Sequence, residues 1–294
     1  MSEPDIKQQV SAFYDQVGWQ MEADGQYQNA RYEDLRPVSA EYIHNCHLRI
    51  NRHLAPTGKY LLDAGSGPVQ YAEYLTYSKG YQRRVCADIS LVALTEARQR
   101  LDEHGLYVVT DVAHLPFASD TFDGVVSLHT LHHLSLEDQT RAYHELHRVL
   151  APGKTAVVVN GWTESVLMKR WQRWVSGMER LGNWIAKLSG KQTAKPATVK
   201  SSQPQGTFIQ KLNADWLRQQ LGGWVKFDIL VWRSVSVRWL RAIIHAPLLG
   251  KLWLRLLYAM EERNPRWYGE NGQYPLIVLH KEKIGAGESP EGES

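Results

Sequence analysis

The sequence is short of several things, and each shortage excludes something. It has two cysteines, Cys46 and Cys86, in 294 residues. Two thiols make no disulfide framework, and Cys86 sits in an apolar run that reads as a buried strand; a packed thiol in a reducing compartment is expected. No apolar run reaches the ~18 residues that a membrane-spanning helix needs. The opening residues, MSEPDIKQQV, hold no apolar signal core, so a cytoplasmic protein is expected. The net charge is only +3, too mild to argue for nucleic acid. Tryptophan is nearly missing from the first half: ten of eleven lie at or after Trp162, and only Trp19 precedes it. The chain changes character there.

The most informative segment is Lys59-Tyr-Leu-Leu-Asp-Ala-Gly-Ser-Gly-Pro68. An apolar strand runs into Asp63 and a tight Gly65-Ser66-Gly67 turn, which brings backbone close to a nucleotide-like ligand at a strand's carboxyl end. A dinucleotide fingerprint wants a third glycine, and Gln70 stands in its place. Pro68 has no N–H to offer a phosphate and suits a first helical turn. Asp63 would repel pyrophosphate but suits a ligand with an ammonium and a sulfonium, as in S-adenosylmethionine.

The chain then alternates between strands and helices, the pattern of a parallel sheet. Strands are expected at 59–63, 83–88, 106–110, 122–128 and 155–160, with helices over 69–78, after Ser90 and after Ser135. Before them, helices are expected over 4–18 and after Ser39. Beyond Trp162, residues 164–188 carry apolar side chains at helical spacing, and 189–206 read as a loop rich in Lys, Ser, Gln and Pro. Asn213 can cap a helix through Leu221. Residues 225–237 and 274–281 read as strands, with an amphipathic basic segment over 238–263 broken near Pro247. Residues 285–294 form a Gly- and Glu-rich tail expected to be disordered. The parts are a helical cover at 1–58, a core at 59–162, an insertion and loop at 163–206, the rest of the sheet at 207–284 with an insertion at 238–273, and the tail.

Strand-end residues now fall on one edge: Asp63-Ala64-Gly65-Ser66-Gly67, Asp88-Ile89, Asp111-Val112 and Leu128-His129. Ligands of open α/β sheets bind at that edge. Asp88 can accept from two ribose hydroxyls, Ile89 can lie on an adenine face, and Asp111 can take the adenine amino proton. Strand-end acids also serve as caps and turn formers. Here they stand at successive strand ends around a Gly-x-Gly turn.

The segments LLDAGSGP (61–68), VCADIS (85–90), YVVTDVAHLPF (107–117), FDGVVSLHTLHHL (122–134) and ELHRVLAPGKTAVVV (145–159) together resemble class I S-adenosylmethionine-dependent methyltransferases. The closest likeness is to the type 11 branch, which includes the ubiquinone/menaquinone-biosynthesis enzymes. The resemblance implies an α/β fold: a Rossmann-like, seven-stranded, mostly parallel sheet with helices on both faces and an antiparallel last strand, here joined by helical lid insertions. It implies that Asp63, Ala64, Gly65, Ser66 and Gly67 frame the methionine end of S-adenosylmethionine, and that S-adenosylhomocysteine is the product. Asp88 and Ile89 would hold ribose and adenine, Asp111 and Val112 the adenine edge, and Leu128 and His129 the amino acid part. Pro68 departs from the glycine the family often carries.

A hydroxyl acceptor needs a base, and a histidine near neutrality can supply one. His129 and His132 are the candidates; His133 is expected to be structural, and His144 and His147 to face solvent. No metal is expected, because His129-x-x-His132-His133 lacks a partner ligand. Tyr14, Tyr27, Arg31, Tyr32 and Trp162 are the candidate acceptor contacts. The tryptophan-rich insertions have three readings: a lid over a small apolar or aromatic acceptor, a homodimer surface or enlarged core, and a peripheral membrane contact. Nucleic acid is not expected as a partner. A protein that binds the donor without transferring, or a nicotinamide-dependent oxidoreductase, are the rivals.

Overall fold

The computed structural model of the chain describes residues 33–188, 208–210 and 212–283, with residues 8, 9, 12, 13 and 15 of the N-terminal segment. Most of the helix expected over 4–18, the loop at 189–206 and the tail at 285–294 lie outside the described residues.

One seven-stranded sheet organises the chain, in the order β3-β2-β1-β4-β5-β7-β6. The strands are β1 (Gly58–Ala64), β2 (Tyr81–Asp88), β3 (Gly105–Val109), β4 (Gly124–Leu128), β5 (Thr155–Val159), β6 (Lys226–Arg233) and β7 (Tyr274–His280). The first five pair in parallel, and β7 runs antiparallel between β5 and β6. The order reverses between β1 and β4, and that switch point opens a crevice at the carboxyl edge.

Period-two alternation builds the two faces. Leu62, Val125, Ala156, Val158, Ile277 and Leu279 enter one core cluster. Leu61, Val126, Val157, Val159, Leu276 and Val278 enter the other. The central strands are largely apolar on both sides, as a sheet covered on both faces requires, with the buried Asp63 and Arg84 as paired exceptions. Ser90 caps α2 (Leu91–Leu101) by accepting from Ala93 N, and Ser135 caps α3 (Leu136–Val149) by accepting from Asp138 N. Asn213 does the same for α5 (Ala214–Leu221), its Oδ1 accepting from Trp216 N at 2.8 Å.

The helix expected over 69–78 differs. Val69 takes φ 53°, so the chain leaves the glycine turn in a left-handed conformation that cannot continue into an α-helix. A 3₁₀ helix at Ala72–Ser78 follows instead.

A third apolar cluster gathers the helices outside this sandwich. It joins Tyr42, Ile43 and Cys46 of α1 (Ala40–Leu48), Val175 of α4 (Val166–Leu188), Trp239 and Leu240 of α6 (Val237–Ile243) and Leu254 of α7 (Gly250–Arg263). Glu261 of α7 locks it: the buried carboxylate accepts from Tyr42 Oη at 2.7 Å and Ser234 N at 2.9 Å, and pairs with Arg49 at 2.9 Å. The chain breaks at Ala246–Leu248, beside Pro247, as expected. A short helix, α8 (Pro265–Asn271), was not anticipated; Gly269 lets it lie on β6, where an added Cβ would stand 2.4 Å from the Leu230 backbone. No helix among the described residues is long and apolar enough to cross a membrane.

Candidate active site

The glycine turn is built for close approach. Gly65 and Gly67 hold φ 75° and 53°, and a Cβ on Gly65 would stand 2.1 Å from the Thr130 side chain. The turn's donors are all engaged within the protein. Gly65 N and Ser66 N donate to Ala87 O at 2.7 and 3.3 Å, Gly67 N to Asp88 Oδ2 at 2.8 Å, and Val69 N to Ser66 O at 3.4 Å. Pro68 has none. From residue 65 to 69 no N–H is left over for a phosphate.

Asp88 closes this turn from the neighbouring strand. Its other oxygen accepts from Ser90 N at 2.9 Å. Burial raises its pKa to about 6, against those backbone hydrogen bonds. Each oxygen keeps a second lone pair for a hydroxyl donor. Ser90 Oγ donates to Asp15, so a residue of the N-terminal segment reaches the same strand end.

Asp63 is buried and paired with Arg84 of β2, whose two donors both end on Oδ2. Arg84 also donates to Tyr74 O at 2.6 Å. The sequence reading missed this arginine, which offsets the Asp63 charge from beneath the turn. Asp111 ends the third strand as a turn former: Oδ1 accepts from Ala113 N at 2.9 Å and Oδ2 lies 3.1 Å from His114 Nδ1. Val112 is buried beside it.

Next to the end of β4 packs a buried cluster of aromatic and charged side chains. His129 follows β4 with φ 56° and donates its N–H to Val159 O at 2.7 Å. Its ring stands edge-on to Trp232 at 4.9 Å and to Tyr274 at 5.7 Å. His47 stacks on Trp232 at 5.3 Å and adjoins Tyr71 and Tyr74. Arg233 lies over Trp232 and Tyr274 and pairs with buried Glu33. Burial would raise the Glu33 pKa, but Arg233 and His47 bring it to about 2. The Glu73 carboxyl is held at about 2 by His47, against partial burial and with help from His44. Trp232, Arg233, Tyr274, His47 and Glu33 were all missed. Only Arg233, a charge ending an apolar strand, left a signal in the sequence.

His132 Nδ1 lies 3.4 Å from Asn160 Oδ1 and its ring 6.5 Å from that of His129, while His133 Nδ1 lies 2.9 Å from Phe208 O and ties down residues 208–210. Trp162 is a correction. It is buried in the core and donates Nε1 to Gly269 O at 2.7 Å, because α8 closes over it. His144 is exposed but stacks on Trp224 at 3.8 Å, and His147 meets the same ring edge-on at 5.4 Å. Tyr14, Tyr27, Arg31 and Tyr32 lie outside the described residues. A cleft of about 320 Å³ opens between α4 and α6, bordered by Met168, Trp239 and Gln273, the neighbour of Tyr274.

A seven-stranded sheet of this order, with a donor-saturated glycine turn and an acid ending β2, defines the class I methyltransferase fold. Residues 62–158, about a third of the chain, match the family described as "Methyltransferase domain". Among curated proteins, Methyltransferase GfsG of Streptomyces halstedii is 31% identical over 118 residues, covering 37% of this chain and 41% of that one. The ubiquinone/menaquinone biosynthesis C-methyltransferase UbiE of Cereibacter sphaeroides is 36% identical over 117 residues, covering 36% and 44%. The matched part thus spans less than half the length of these relatives. Among solved structures, phosphoethanolamine N-methyltransferase 1 of Haemonchus contortus shares the fold with TM-score 0.57 and 13% identity, over 98% of this chain and 52% of that one. The [4+2]-cyclase SpnF shares it with TM-score 0.52 and 18% identity, over 94% and 97%.

Proposed function

We propose that this protein transfers the methyl group of S-adenosylmethionine to a small, apolar or aromatic organic acceptor, at oxygen in preference to carbon. The observation that carries the reading is the glycine turn. Its N–H groups are all engaged internally, which leaves nothing for a pyrophosphate, while Asp88 keeps acceptor capacity for hydroxyls. That pattern fits a nucleoside ligand without phosphates and disfavours a nicotinamide dinucleotide. Bound there, S-adenosylmethionine supplies an activated methyl on its sulfonium, so the protein has only to align, desolvate and deprotonate.

The residues divide that work. Gly65 and Gly67 admit the ligand, Asp88 holds its ribose, and Ile89 and Val112 flank the base. Half-buried Tyr274, backed edge-on by the fully buried Trp232, gives the acceptor side a flat apolar face, which suits an aromatic or apolar molecule. His129 stands between that face and the turn, placed to take a hydroxyl proton. Its backbone is held by β5 and its ring rests edge-on against Trp232 and Tyr274. UbiE's name speaks for carbon as the acceptor atom, and an imidazole base speaks for oxygen.

Titration calorimetry on the full chain tests the donor: S-adenosylhomocysteine is expected to bind and NAD(P) is not. The reverse result overturns the proposal. Methyl transfer to a panel of phenols and alcohols then tests the chemistry. Binding without transfer to any acceptor would favour a donor-binding protein, a real rival on a fold that a [4+2]-cyclase also uses. His129→Ala should lower kcat about a hundredfold while leaving S-adenosylhomocysteine affinity within about twofold. Full turnover in that variant removes His129 from the base role.

A further inference from the structure

Two helices present large apolar side chains to solvent on faces that the core does not use. On α7, Leu249 at its cap, Leu252, Trp253, Leu256 and Met260 form one stripe, each between 47% and 65% exposed. Leu254 of the same helix is buried on the opposite side. On α4, Val175 faces the cluster, while Trp174, Leu181 and Trp184 are 65%, 47% and 59% exposed. They recur at spacings of seven and three, one outer stripe of the helix. Arg170, Arg173 and Arg180 recur at three and seven immediately beside it, all exposed. Both helices pack on the same small cluster outside the sheet, with their apolar stripes turned away from it.

The charge pattern decides what fits this surface. Glu179, the only acid of α4, is held by Arg238 at 2.7 Å. The acids of α7 are also held: Glu261 is buried, and Glu262 pairs with Arg49 and Arg52. Among the described residues, the outward faces thus combine tryptophan, leucine and arginine with no uncommitted carboxylate. A second copy placed face to face would oppose arginine to arginine. An anionic bilayer offers the complement: headgroup phosphates for the guanidinium groups and an acyl boundary for tryptophan and leucine.

We infer that α4 and α7 form a docking surface for anionic lipid bilayers, on which this protein rests without crossing. This stands apart from the methyl-transfer reading and holds whatever the acceptor is. The area alone gives weak, reversible binding. The basic residues add to it, each contributing about fivefold near a charged surface.

The test is co-sedimentation of the full chain with phosphatidylglycerol-containing vesicles and with vesicles of phosphatidylcholine alone. Binding to the anionic vesicles is expected, weakening as salt rises. Combined replacement Arg170→Gln, Arg173→Gln and Arg180→Gln should weaken it on the order of a hundredfold. Lipids brominated in the acyl chains should quench tryptophan fluorescence in the wild type. That quenching should fall in the combined Trp174→Ala, Trp184→Ala and Trp253→Ala variant, whose circular dichroism should be unchanged because all of these side chains are exposed. No binding to anionic vesicles overturns the inference. So does a wild-type dimer in sedimentation equilibrium that the tryptophan variant dissolves, since the surface would then belong to a second copy.

Discussion

Asp88→Ala should weaken S-adenosylhomocysteine binding on the order of a thousandfold. Two hydroxyl donors to one carboxylate are each worth about 1.5–3 kcal/mol, and their sum sets that scale. The alanine also strips the acceptor from Gly67 N and Ser90 N, so the turn itself loosens. Asp88→Asn separates the two effects. It keeps a carbonyl acceptor but loses the charge, so its affinity should fall between the two. The pH dependence distinguishes charge from shape. Burial lifts the Asp88 pKa to about 6, and ribose hydroxyls favour the ionised form. Affinity should therefore be flat above that value and fall as pH drops through it. In Asp88→Asn this step should vanish. The same shift acts on the unliganded fold with the opposite sign. Between the unfolded value of 3.8 and about 6, the folded state holds the extra proton, so the carboxyl's contribution to stability declines as pH rises through that window. Calorimetry across the range reads the binding limb. An unchanged affinity in Asp88→Ala would remove the residue from the ribose role.

What the sequence disclosed and what it hid follow one physical division. Continuous apolar runs such as TAVVV at 155–159 and caps such as Ser90, Ser135 and Asn213 are local, and the strands and helices they predict stand where expected. Strand-end residues share an edge because parallel strands all end on one side, so the placement of Asp63, Asp88 and Asp111 followed from strand boundaries alone. The helix over 69–78 failed because a left-handed Val69 is no property of valine; the tertiary turn imposes it. The acceptor side was hidden for a different reason. Glu33 and Arg233 stand 200 residues apart in sequence, and Trp232 and Tyr274 meet only because β7 inserts between β5 and β6. Trp162 misled because a tryptophan at a strand end reads alike whether it faces a ligand or, as here, a later helix.

That long-range arrangement makes Arg233→Ala a costly substitution, at about 3–5 kcal/mol. Arg233 is buried, and so is the Glu33 carboxylate it holds. Removing the guanidinium leaves an unpaired acid beside His47 and strips the cation from the faces of Trp232 and Tyr274. The loss has a definite pH signature. In the wild type, Glu33 is depressed from 4.5 to about 2, so it stabilises the fold above the unfolded value, and that contribution is lost as pH falls from one to the other. Without Arg233, burial acts on Glu33 with less opposition, and protonation relieves it. The gap in stability between wild type and variant should thus be widest near neutrality and narrow as pH falls below about 4.5. Adding Glu33→Gln to Arg233→Ala should recover part of the loss, since a neutral amide costs less to bury than a lone charge. Denaturant unfolding of the four proteins of this cycle measures the coupling. Additive losses would mean that the two side chains do not act as a pair. A large coupling would identify the ion pair as what ties the segment before α1 to this edge of the sheet, so that lost stability and a displaced Trp232, the support of His129 and Tyr274, would appear together as a raised KM for acceptor with unchanged S-adenosylhomocysteine affinity.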